Sequence, residues 1–188
     1  MGDPHRIDRY GETWSDTKIN AYLFELKGLQ DDIILSGGWA WHFMSPTHTE
    51  FKHLHDHKDV DIFVAPRDVA KVIMLLGLQK FQRVATIHDA NAKRNPGDFR
   101  RYEKIVENED SDGNEAPFRI TIDFFVGSPP HRNIRGWKVA DVDFLLKQYH
   151  QGTHSSGECI AVMAARKIRA RGLDPLGMQE LIQLPLEV

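Results

Sequence analysis

The chain has 188 residues, of which 41% are hydrophobic and 27% charged; this excludes a disordered chain and predicts one domain that buries roughly 70% of its unfolded surface. The formal net charge of −3 gives no overall attraction to polyanions, so nucleic-acid binding would need a local basic patch. A lone Cys159 excludes an intrachain disulfide and a thiolate metal cluster, and no apolar run approaches the roughly 20 residues of a spanning helix, so the expectation is a cytoplasmic protein with no membrane association.

Asp16 or Thr17 can cap a helix over residues 18–29, where Ile19, Leu23, Leu26 and Leu29 recur at helical spacing. Ile33, Ile34 and Leu35 follow as a short buried strand. Gly37-Gly38 then turns the chain into an aromatic helix, Trp39 to Met44, that must stop before Pro46. Strand, glycine turn, helix is the order in which an anion can meet free backbone N–H groups. Residues 47–58 read as a polar, histidine-bearing loop, and 59–64 as a strand. Pro66 opens a helix over 67–76 that closes near Gly77, with Val69, Val72, Ile73 and Leu76 on its buried face.

Residues 81–87 alternate like a strand and 88–98 are a loop. Residues 99–107 and 118–126 flank an acidic connection and are predicted to pair as a hairpin. After Pro129-Pro130 a helical chain is expected. One helix covers about 140–149, a second begins at Ser155 with Glu158 at capping-box spacing, and a short last one follows Pro175. Strands joined partly by helices and partly by a hairpin predict a mixed α/β (α+β) fold of one domain, with a sheet core at about 17–128 and a helical tail at about 136–186.

The chemistry centres on three aspartates and a glycine turn. Asp59 and Asp61 stand two residues apart on a strand and therefore share a face. Asp61 adjoins Ile62, Phe63 and Val64, where an unpaired carboxylate is costly. A hard cation such as Mg²⁺, held by one or two carboxylates plus substrate phosphates, is the simplest partner. Asp123 lies in the apolar run Ile120 to Val126 and shares a face with Arg119 and Thr121; its plain alternative is a salt bridge to a neighbouring Lys or Arg. The Ser36 hydroxyl and the Gly37 and Gly38 amides are candidate phosphate donors.

Ser36-Gly37-Gly38-Trp39-Ala40 followed by His57-Lys58-Asp59-Val60-Asp61-Ile62 resembles the signature of the small aminoglycoside and lincosamide nucleotidyltransferases of the polymerase-β-like superfamily. The tail, with Lys167, Arg171 and Asp174, is similar to the helical segment such proteins carry after the sheet. The resemblance implies that Gly37 and Gly38 hold a nucleoside triphosphate, with ATP as the expected co-substrate, and that Asp59 and Asp61 bind Mg²⁺. Asp123 would be the third carboxylate, a metal ligand or the base that takes the acceptor's proton. Lys167 would reach the triphosphate, unless it only complements its helix C-terminus. The implied acceptor is a small hydroxylated molecule. A protein or RNA acceptor and a homodimer are left open, and the alternative is a non-catalytic nucleotide-binding or antitoxin-like module.

Other motifs have plainer readings. His42, His48, His53, His55 and His57 suggest Zn²⁺, but a solvated loop explains alternating histidines better. Trp39 and Trp41 read as core rather than as a base-stacking platform. Arg100, Arg101 and Lys104 read as surface charge on a strand edge.

Overall fold

Asp61 and Asp123 sit on two apolar strands that pair in parallel, β2 (Val60–Val64) and β5 (Phe118–Val126), in a computed structural model that describes residues 16–44, 59–85, 99–106, 117–152 and 161. Each strand alternates: Val60, Ile62 and Val64 with Ile120, Ile122 and Phe124 bury one face, while Asp59, Asp61 and Asp123 belong to the other. The remaining strands are β1 (Ile34–Leu35), β3 (Gln82–Val84), β4 (Phe99–Val106), β6 (His131–Ile134) and β7 (Trp137–Ala140). They form one mixed seven-stranded sheet in the order β3-β4-β5-β2-β1-β7-β6.

Four α-helices are described: α1 (Asp16–Leu26), α2 (Gly37–Met44), α3 (Val69–Leu78) and α4 (Val142–Gln151). Tyr22 of α1 stacks between Trp39 of α2 and Phe118 of β5, with ring centroids 5.7 and 5.3 Å away, and its hydroxyl donates to the Arg119 carbonyl. Lys104 of β4 pairs with Glu25 of α1, which ties that helix to the sheet. Trp39 and Trp41 are fully enclosed, so the aromatics of α2 are core. His42 is buried against Trp39 and Phe43. No helix among the described residues is long and apolar enough to cross a membrane.

The expected elements 18–29, 33–35, 59–64, 67–76, 99–107 and 118–126 appear with ends shifted by a residue or a few. The segment after Pro130 departs from expectation. Residues 131–140 form the β6–β7 hairpin rather than helix, so the sheet extends beyond the boundary expected near 128. Its turn places Arg135 at φ 51° and Gly136 at φ 84°, the backbone of a two-residue type I′ turn. A second correction concerns β4. It is flanked by β3 and β5, so Arg100, Arg101 and Lys104 do not lie on an edge strand. The loops at 47–58 and 88–98, the acidic connection, and the helices expected from Ser155 onward lie outside the described residues, apart from helical Ala161.

Candidate active site

The site is built where β1 ends. Leu35 pairs with Ile62, and one step further the Ser36 N–H donates to the Asp61 carbonyl at 2.8 Å, which anchors the turn to β2. Gly37 then takes φ 55°, a left-handed conformation that L side chains rarely adopt, and α2 begins at once. A Cβ on Gly37 would overlap the Asp61 carboxylate, so the missing side chain lets that carboxylate lie against the turn. The Ala40 N–H reaches back to the Ser36 carbonyl at 3.2 Å. The N–H groups of the first turn of α2 thus have no intrahelical carbonyl, the usual condition of a helix start. Ser36 itself is only 2% exposed, beneath the turn.

Across the sheet the register aligns three charged side chains. Asp61 on β2 pairs with Asp123 on β5, and Asp123 pairs with Arg101 on β4. Cross-strand partners point to the same side, so Asp59, Asp61, Asp123 and Arg101 occupy one face. Asp123 is 8% exposed, and both its carboxylate oxygens are gripped by Arg101: Nε donates to Oδ1 at 2.6 Å and Nη2 to Oδ2 at 2.7 Å. Arg101 Nη2 also lies 3.8 Å from Asp59 Oδ2. The hydrogen bond to Asp123 raises the Arg101 guanidinium well above its ordinary value, against the opposing effect of burial, with Asp123, Asp59 and Glu103 adding their charges. Further along the same face Arg119 pairs with Glu103 at 3.4 Å.

The expected ligand set is therefore brought together only in part. Asp59 and Asp61 share a face beside the glycine turn and fit one hard cation completed by phosphate oxygens, as Mg²⁺ prefers. Asp123 is adjacent, and a guanidinium holds both of its oxygens. Among the described residues no group of three His, Cys, Asp or Glu is arranged to hold a metal ion. The salt bridge weighed as the plain alternative for Asp123 is the contact observed, and its partner is the arginine read as surface charge. The usable signal was the hairpin: with 99–106 and 118–126 paired, opposite charges at 101 and 123 stand equally far from the turn. Lys167 and the histidines at 48, 53, 55 and 57 lie outside the described residues.

Two aromatic layers continue the same face. Phe63 stacks on Phe125 at 5.3 Å, Phe99 tilts onto Phe125 at 5.2 Å, and Phe144 of α4 meets Phe63 edge-on at 5.4 Å. The carboxylates thus border an apolar floor two residues further along each strand.

No family model matches the chain, and no curated protein sequence matches it. Among solved structures, the chain is similar to the crystal structure of JHP933 from Helicobacter pylori, with a TM-score of 0.47 and 14% identity over 93% of this chain and 83% of the other.

Proposed function

We propose that the chain is a Mg²⁺-dependent nucleotidyltransferase that moves a nucleoside monophosphate from an NTP, with ATP the expected donor, to a hydroxyl group on a small molecule. The observation that carries this reading is the left-handed Gly37 at the start of α2, pressed against the carboxylate of Asp61. A phosphate chain lying over that turn meets backbone N–H donors and the positive end of a helix. Within the same reach it meets two carboxylates that share a strand face and can hold a cation against its oxygens. In the reaction the acceptor hydroxyl gives up its proton to solvent, its oxygen bonds to the α-phosphorus, the bond from that phosphorus to the bridging oxygen breaks, and pyrophosphate leaves. The cation, when bound, supplies charge neutralisation on the phosphate oxygens.

The chain's own part is orientation. Gly37 and Gly38 bring the backbone close to the triphosphate, and Asp59 and Asp61 hold the cation. Asp123, fixed by Arg101, borders the far side of the site as a neutralised ion pair. Pyrophosphate release from ATP with a panel of hydroxylated acceptors tests the assignment. Asp61→Asn is expected to lower it by about two orders of magnitude, the scale on which loss of one electrostatic stabiliser acts. Equal rates in the two proteins, or no Mg²⁺-dependent binding of a non-hydrolysable ATP analogue, would sink the assignment.

One observation favours a second reading. A third carboxylate closed by Arg101 suits a module that binds nucleotide without transferring it. Such a protein would bind the ATP analogue in a Mg²⁺-dependent way and release no pyrophosphate with any acceptor.

A further inference from the structure

Arg101 is the charged group at this site that the proposed chemistry does not require. It stands on the third strand of a line that runs Asp61, Asp123, Arg101 across β2, β5 and β4. Strands lie about 4.8 Å apart, so the line spans roughly 10 Å of one face. A divalent cation shared by Asp61 and Asp123 needs an oxygen from each at about 2.0 to 2.1 Å for Mg²⁺. The Asp123 oxygens instead accept two N–H groups from one guanidinium, whose Nη2 also approaches Asp59. A second full positive charge beside that guanidinium would be repelled in a region where both partners are largely shielded from solvent, with side-chain exposures of 26% and 11%. The fork geometry is specific to arginine: its planar donors match both carboxylate oxygens at once, as a lysine point charge does not.

We propose that Arg101 takes the place of one divalent cation in this site, so that the chain binds one metal ion fewer than its three aspartates would otherwise allow. The guanidinium neutralises Asp123 and the near side of Asp59 permanently, because it is tethered to β4. What remains is a single cation position at Asp59 and Asp61, next to the Gly37 turn. This rests on the nucleotide reading of the site for the remaining cation, but the displacement itself stands on the Arg101 to Asp123 contact alone.

Mn²⁺ titration of the full chain, followed by electron paramagnetic resonance with and without a non-hydrolysable ATP analogue, counts the ions directly. The wild type is expected to hold one Mn²⁺, which Asp61→Asn removes. Arg101→Met is expected to hold two, and the double variant Arg101→Met, Asp123→Asn to return to one. Arg119→Met, which removes a neighbouring positive charge paired with Glu103, is expected to leave the count at one. Equal counts in wild type and Arg101→Met, with unchanged circular dichroism, overturn the proposal; so does a wild type that already holds two. If Arg101→Met does not fold, Asp123→Asn decides: an unchanged count supports the proposal and the loss of one Mn²⁺ overturns it. A wild type that holds one ion, lost in Asp61→Asn, beside an Arg101→Met that gains none removes the displacement and leaves the transferase reading standing. A wild type that holds none beside an Arg101→Met that holds one does the reverse.

Discussion

Gly37 is where backbone conformation and chemistry meet. Its φ of 55° would cost an alanine about 1–2 kcal/mol, and the added Cβ would also have to displace the Asp61 carboxylate. Gly37→Ala is therefore expected to lower stability by about 1–3 kcal/mol in urea unfolding, and to weaken Mg²⁺-dependent binding of an ATP analogue measured by calorimetry. A variant that loses stability and keeps full affinity would mean the turn serves the fold only. The sequence carried this residue clearly, since a glycine between an apolar strand and a helix start is a local signal. Arg101 was not legible in that way. Its partner is 22 positions distant, and nothing around it in the chain distinguishes it from Arg100, which lies over the ring of Phe124 on the opposite face.

Among the elements, β2 and β5 hold the site in register, and their other face supplies much of the core. Ile62 is fully buried between β1 and β5, whereas Ile105 on β4 is 53% exposed. Ile62→Ala is expected to cost about 2–5 kcal/mol by removing buried contacts and leaving a cavity. Ile105→Thr is expected to stay within about 0.5 kcal/mol of the wild type, as surface changes do. Thermal unfolding of the two variants checks the contrast, and similar losses in both would mean that Ile105 is covered in solution. The alternation along 118–126 made β5 readable residue for residue, because period two is a local property of the chain. The β6–β7 hairpin was missed for the complementary reason. Its strands are short, and the polar His131, Arg132 and Asn133 carry no buried face to set an alternating pattern.

At the scale of the molecule, β1 is the seam. Although only two residues long, it pairs antiparallel with β2 and parallel with β7, so it joins the β3-β4-β5-β2 half of the sheet to the β7-β6 half. Both halves share buried residues, with Trp137 and Val139 of β7 in the same core as Ile62 and Phe124. Unfolding in urea is accordingly expected to give one cooperative transition, with tryptophan fluorescence and far-UV circular dichroism coinciding. An earlier fluorescence transition would mean that the β6–β7 hairpin separates from the sheet before the rest.

By itself the sequence determined the local elements around the site: a glycine turn before an aromatic helix, two aspartates on one strand face, and a third in an apolar strand. Those follow from side-chain periodicity and from the backbone freedom of glycine, which neighbouring residues express without help from the rest of the chain. The tertiary structure decided the rest. The parallel pairing of β2 with β5 put Asp61 opposite Asp123, and β4 laid Arg101 across Asp123. Strand order and register are set by contacts between distant segments competing for the same core, so the alignment of side chains from β2, β5 and β4 on one face is visible only once the sheet has closed.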